Sequence, residues 1–434
     1  MGKQLEIYRK KTHKYIPGGA HTYSRGDDQF PSNAPSILER GEGAYVYDIE
    51  GHKYLDYGMG LRAVTLGYGN ERVNKAAITQ ISNGNGLTRA SKIEVDVAEK
   101  MVDLIDGMDM IKFAKNGSSV TSSATKLARA YTGRKIIARC LQHPFFSYDD
   151  WFIGDTVMDA GIPTETKILT VNFNFNDLKS LENLINKYPS QIACVILEPS
   201  THIEPHEGFL QGVKSLCNKE GIIFILDEMI TGFRWDLKGA QKYYDVIPDL
   251  CTFGKGMANG FSVSALMGKK DIMSLGGLFH DKERVFLMST THGAEMSGLG
   301  ALHETIDIYK ELNVTDYLWD YGTRLKDGIN RISESFGLID YFYIDGIAVS
   351  PAIVTKDKNG EISMKLRTLF LQEMIKSNIL MPYIAISYAH GQNEMELTFE
   401  AVCKALNVYK SALEDGVENY LIGSEVKPVF RKYN

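Results

Sequence analysis

Short apolar runs alternate with longer, periodically apolar segments along most of this chain. Ile222-Ile223-Phe224-Ile225-Leu226 is unbroken, rich in β-branched residues, and bounded by Gly221 and Asp227. It reads as a strand buried on both faces, the kind found inside parallel sheets. Leu250–Phe253, Met110–Ala114 and residues 135–140, 191–197, 261–268 and 285–288 read as further strands. Between them, residues 70–82 and 92–105 carry apolar side chains at helical spacing, with Ile93, Val97, Met101 and Leu104 on one face. Strands alternating with helices predict an α/β core.

The two ends read differently. Residues 1–56 open with a short basic helical segment, break at Ile16-Pro17-Gly18-Gly19, and enter a loop rich in glycine, proline and aspartate. Residues 43–57 then alternate apolar and polar positions around Glu50-Gly51, which predicts a β-hairpin. Beyond residue 320, helical patterns over 321–335, 366–377 and 394–413 flank a strand pattern over 346–354, as in an α+β lobe. The expected division is 1–56, 57–319 and 320–434, with no internal repeat or low-complexity tract.

Composition narrows the function classes. At 434 residues the chain has room for two or three lobes. A formal net charge of −6 leaves no basic excess to displace counterions from phosphates, which argues against nucleic acid as the main partner. The five cysteines (Cys140, Cys194, Cys217, Cys251, Cys403) are scattered, odd in number and without CxxC spacing, as expected of reduced thiols. The N-terminus has no apolar signal-peptide core, and no apolar run approaches the ~20 residues of a membrane span. These features predict a soluble, cytoplasmic protein with no membrane partner. Two motif-like stretches carry little. GMGLRA (58–63) matches G-x-G-x-x-A without the strand–turn–helix setting of a dinucleotide site, and HIEPHE (202–207) reads as a polar loop rather than a metal site.

The chemistry centres on Asp227 and Lys255. A carboxylate at the carboxyl end of a buried strand lies where open α/β sheets place their ligands. Lys255 stands between Gly254 and Gly256, which let the backbone turn sharply and expose the side chain. A lysine delivered to a sheet edge is costly unless its charge is lost or paired, so it is a candidate to form a Schiff base. Pyridoxal phosphate suits both residues: its aldehyde condenses with the lysine, and its protonated ring nitrogen pairs with the carboxylate. Upstream, Asn116, Gly117 and a cluster of hydroxyls open a helical pattern. Free N–H groups at such a turn bind phosphate; simple capping by Ser118 or Ser119 is the alternative use of the same stretch.

LDEMITGFR (226–234) followed by TFGKGMANG (252–260) resembles the signature of the class III, subgroup II, pyridoxal-phosphate aminotransferases, which include the glutamate-1-semialdehyde 2,1-aminomutases. The resemblance spans most of the chain. It implies fold type I: a large domain with a mostly parallel sheet flanked by helices, and a smaller α+β domain drawn from both termini, with residues 1–56 packed on the small domain. It makes Lys255 and Asp227 catalytic and gives Asn116, Gly117 and Ser118 the cofactor phosphate. His143, with Phe145 as the alternative, takes the ring face, and Glu198 and Met229 lie beside the cofactor. Thr291, in STTHGAE (289–295), would reach the phosphate of a neighbouring subunit, which implies a homodimer with sites at the interface. Arg25, in IPGGAHTYSR (16–25), matches the family's substrate-carboxylate arginine. Arg62 follows Gly60-Leu61, where the family has Ser-Trp, and is the second candidate substrate contact. No metal is implied. The implied reaction moves an amino group between an amino-acid donor and a carbonyl acceptor of sugar-linked or nonulosonate type; intramolecular transfer by an aminomutase is the alternative. Departures at Gly60-Leu61, at HPFF (143–146) and after Met381-Pro382-Tyr383, where a family glutamate is missing, favour the first.

Overall fold

Taken in chain order, the computed structural model, which describes residues 2–433, begins with a helix, Lys3–Tyr15, that stops before Pro17. Strands β1 (Leu38–Glu42), β2 (Tyr45–Asp48) and β3 (Lys53–Asp56) follow as an antiparallel meander, with the β2–β3 turn at Gly51 as the alternation predicts.

Beyond β3 the backbone enters a rare conformation. Met59, Gly60, Leu61 and Arg62 have φ of 39°, 57°, 63° and 67°, a left-handed turn in which three residues carry side chains. Each of those three costs roughly 1–2 kcal/mol of backbone strain. Asp56 holds the turn. Its buried carboxylate accepts the Gly58 and Met59 amides at 2.7 and 2.9 Å and the Tyr68 hydroxyl at 2.6 Å, and Tyr68 Oη accepts the Gly60 amide at 2.7 Å. Burial pushes the Asp56 pKa up, and these bonds oppose the push. The turn ends with the Arg62 guanidinium 4.3 Å from the centroid of the Tyr383 ring. Asp56→Ala leaves three donors unmatched, so amide exchange at Gly58, Met59 and Gly60 is expected to accelerate about a hundredfold or more. Parent-like protection would mean that something else holds the turn.

The next strands build a seven-stranded sheet. They are β4 (Met110–Ala114), β5 (Ile136–Cys140), β6 (Thr170–Phe173), β7 (Ile192–Leu197), β8 (Ile223–Asp227), β9 (Leu250–Phe253) and β10 (Ser264–Gly268), in spatial order β4-β10-β9-β8-β7-β5-β6. β10 runs against both of its neighbours; every other pair is parallel. The split of side chains between the two faces follows the period of two. Ile223 and Ile225 join Val120, Ala124 and Leu127 of the Gly117–Thr132 helix on one side, while Phe224 and Leu226 join Leu181, Phe209 and Val213 on the other. Both faces are covered, which is why these strands read as unbroken apolar runs.

Two expected strands differ. Residues 285–288 are irregular, tied by the Val285 amide to the Leu275 carbonyl, and Phe286 is 72% exposed. In place of one strand over 346–354 there is a hairpin, β11 (Phe342–Asp345) with β12 (Ala352–Thr355), because Gly346 at φ 79° ends the first arm. β13 (Ile379–Leu380) then pairs parallel with β3.

The chain divides into two units. One runs through Asn70 and resumes with Asp316–Val429; the other is Glu71–Thr315 with the tail from Phe430. The first boundary lies later than 56/57 because the chain after β3 stays pinned to its own unit. The Tyr57 amide donates to the Leu380 carbonyl, and Gly43 and Tyr68 exchange backbone hydrogen bonds. Among the described residues no helix is long and apolar enough to cross a membrane.

Candidate active site

β4, β5, β7, β8 and β9 share one direction, so their carboxyl ends meet at one edge of the large sheet. Asn116, His143, Glu198, Asp227 and Lys255 follow those five ends.

Asp227 closes β8 and is 2% exposed. Its Oδ1 accepts the Met229 amide at 3.0 Å and the Thr252 hydroxyl of β9 at 2.9 Å, and no hydrogen bond among the described residues ends on Oδ2. Burial pushes its pKa up to about 6, with the Lys255 charge pulling the other way. Lys255 itself has φ 44°, a left-handed conformation rare for a residue with a side chain and most often kept where function uses it. Glycine precedes it for a steric reason: a Cβ on Gly254 would lie 2.6 Å from Met229 Sδ. Gly117 is under the same constraint, at 2.9 Å from that sulfur. Met229 is thus wedged between the lysine turn and the start of the Gly117–Thr132 helix.

At that helix start neither serine is the cap. Asn116 Oδ1 accepts the Ser119 amide at 3.0 Å, while buried Ser118 turns its Oγ to the Tyr148 amide, also at 3.0 Å. Thr121 Oγ1 donates to the Phe146 carbonyl at 2.7 Å, so the 146–148 segment is laced onto the same turn. The Gly117 and Ser118 amides lie in the first turn, with no helical carbonyl below them and at the positive end of the helix dipole.

The two candidates for the ring face stand differently. His143 is 1% exposed, packs on Phe175 with centroids 4.9 Å apart, and accepts the Glu198 amide on Nδ1 at 2.9 Å. Burial, helped by the Arg139 charge, holds its pKa down to about 3, so the ring is neutral. Phe145 is 47% exposed and meets Phe152 edge-on. An enclosed ring offers no open face to a planar guest; Phe145 offers one. Glu198, at the end of β7, is buried.

Glu228 is a site neighbour that sequence reasoning passes over. It is fully enclosed, accepts the Ala240 and Gln241 amides at 2.9 and 2.7 Å and the Thr231 hydroxyl, and so closes the loop that follows Asp227. Burial raises its pKa to about 7. The signal for it is the acidic pair Asp227-Glu228 itself, since one catalytic acid needs no second beside it. Thr291 lies in the exposed stretch 289–292. Arg25, which is exposed, and Arg62 belong to the other unit.

Pyridoxal phosphate requires a buried acid with an oxygen to spare, a lysine on the same edge, and a helix start with amides for the phosphate; all three are present. The family model described as Aminotransferase class-III matches residues 25–341. The chain is a class III aminotransferase. This aminotransferase is 30% identical over 428 residues to the 3-aminobutyryl-CoA aminotransferase of Cloacimonas acidaminovorans (strain Evry), covering 95% of this chain and 100% of the relative. Its fold matches the PLP form of the FumI protein of Sphingopyxis sp. MTA144 with a TM-score of 0.86 at 26% identity, over 97% and 99% of the two chains. A glutamate-1-semialdehyde-aminomutase of Pseudomonas aeruginosa PAO1 shares the fold, with a TM-score of 0.80 at 18% identity over 93% and 94%. The aminotransferase is therefore a pyridoxal-phosphate enzyme of fold type I.

Proposed function

We propose that this aminotransferase moves an amino group between two molecules, from an amino-acid donor to a ketone borne on a larger carrier. The observation that carries the intermolecular reading is a contrast: the full-length relative at 30% identity is named an aminotransferase, whereas the aminomutase stands at 18%. That relative's name suggests an acyl thioester as carrier; the wording of residues 143–154 suggests a sugar-linked or nonulosonate-type acceptor.

When bound, pyridoxal phosphate supplies an aldehyde that condenses with amines and a ring that withdraws electrons. Lys255 Nζ would hold the cofactor through its aldehyde and, when free, would take a proton from the substrate carbon and return it. Asp227 keeps a proton on the ring nitrogen by setting an opposite charge beside it. The Gly117 and Ser118 amides hold the phosphate in a turn that Asn116 shapes. Met229 and Glu198 would border the ring and Phe145 would cover it, in place of His143. Arg25 and Arg62 are assigned to anionic groups of the substrates, for which a guanidinium fork is suited. Thr291, exposed on its own chain, is assigned to the phosphate of a second subunit, which makes the working enzyme a homodimer.

The test is the visible spectrum of the protein loaded with the cofactor. Glutamate or alanine is expected to bleach the band, and a 3-oxoacyl thioester or a sugar-linked ketone to restore it. Bleaching only by glutamate semialdehyde or its diamine would overturn the intermolecular reading in favour of the aminomutase.

A further inference from the structure

His143 follows the end of β5, the strand beside β7, on one side of β8 and Asp227. The Glu198 amide donates to its Nδ1 at 2.9 Å. A backbone N–H only donates, so Nδ1 is the lone-pair nitrogen and the neutral ring carries its proton on Nε2. That Nε2 is buried and has no hydrogen-bond partner among the described residues. A donor left unpaired at such depth costs about 1–3 kcal/mol, and folded proteins keep few of them. Burial keeps the ring uncharged, so what it offers a ligand is an N–H rather than a cation.

The strand order indicates which ligand atom lies on this side. In pyridoxal phosphate the aldehyde carbon is opposite the ring nitrogen, and the phosphate arm and the phenolic oxygen flank that axis on opposite sides. The ring nitrogen belongs at Asp227, on β8. The Gly117–Ser118 turn follows β4 and is tied to β10, where the Ser264 hydroxyl donates to the Asn116 carbonyl at 2.8 Å. The phosphate therefore comes from the β4–β10–β9 side, and the phenolic oxygen faces β7 and β5. We propose that His143 is a cofactor-binding donor whose Nε2–H bonds the phenolic oxygen of pyridoxal phosphate, in a tautomer locked by the Glu198 amide. This rests on the assignment of Asp227 to the ring nitrogen, and it replaces the ring-face role with a hydrogen bond.

Two substitutions separate the halves of the imidazole. His143→Asn keeps an acceptor near Nδ1 but loses the reach of Nε2; His143→Gln restores an N–H near Nε2. Each variant and the parent are titrated with pyridoxal phosphate and with 3-deoxypyridoxal phosphate, which lacks the oxygen. His143→Asn is expected to bind the natural cofactor about tenfold more weakly than the parent does. It should also raise the pH midpoint of the visible band by about one unit, because a donor to an oxyanion favours its deprotonated form. His143→Gln should recover most of both changes, and the deoxy analogue should bind the parent and His143→Asn alike. Equal weakening toward both compounds, or an unmoved pH midpoint in His143→Asn, overturns the proposal. Should His143→Asn fail to fold, the parent decides: affinities for cofactor and analogue that match overturn the proposal, and a preference of about tenfold or more for the cofactor upholds it. A parent that binds no cofactor at all would instead sink the Asp227 assignment.

Discussion

Lys255→Ala is expected to lose turnover by about four orders of magnitude or more while its circular dichroism stays that of the parent. The loss is large because one amine serves as both covalent anchor and proton carrier, and the lysine that follows β4, Lys115, is tied up in an ion pair with Glu295. The fold is expected to survive because alanine meets the same backbone cost at φ 44° that lysine already bears. Lys255→Arg should not rescue, since a guanidinium keeps its proton at any working pH. Stopped-flow measurement of the half-reaction with an amine donor is the check. A rate within about a hundredfold of the parent would remove Lys255 from both roles.

Asp227→Asn is expected to lower turnover by roughly three orders of magnitude. A unit charge about 4 Å from a ring cation, at an effective dielectric constant near 20, is worth about 4 kcal/mol, and the amide forfeits it. The same substitution carries a pH signature in the cofactor-free protein. Burial raises the Asp227 pKa from 3.8 to about 6, so the folded chain keeps a proton that the unfolded chain has released between those values. The stability contributed by that proton is full below pH ~4 and is lost as pH rises toward ~6, by about 3 kcal/mol at most. Asp227→Asn cannot titrate there and removes the slope. Glu228, raised to about 7 by burial, is present in both proteins and cancels in their difference. Bound cofactor sets a positive charge beside Asp227, lowers its pKa, and should flatten the parent's curve as well. Thermal midpoints of parent and variant across this window, with and without cofactor, provide the measurement; parallel curves for all four samples would contradict the assignment.

How much of this was legible in the sequence depends on what caused each feature. β7, β8 and β9 are legible because burial on both faces demands an apolar run whatever the rest of the chain does. Residues 285–288 carry a similar run, yet Phe286 points outward, because an apolar run reports burial against something and not a place in this chain's own sheet. Asp227 and Lys255 are legible because an acid at a strand end and a lysine between glycines are both local patterns. The helix cap is less so: Asn116, Ser118 and Ser119 are all able to cap, and the choice is settled when Tyr148, thirty residues on, takes Ser118. The left-handed turn is not legible at all. Nothing in the local preferences of Leu61 or Arg62 favours it, and its cause is a carboxylate and a phenol that flank it in the chain and close on it in space.

The wedge formed by Met229 has an evolutionary reading. Because its sulfur stands where a Cβ of either Gly117 or Gly254 would fall, the three positions are one steric unit spread over more than a hundred residues of sequence. Alanine at either glycine would oblige the Met229 side chain to swing aside, and the direction that relieves one glycine has to be tolerated by the other. Changes at the three positions should therefore be found together more often than singly.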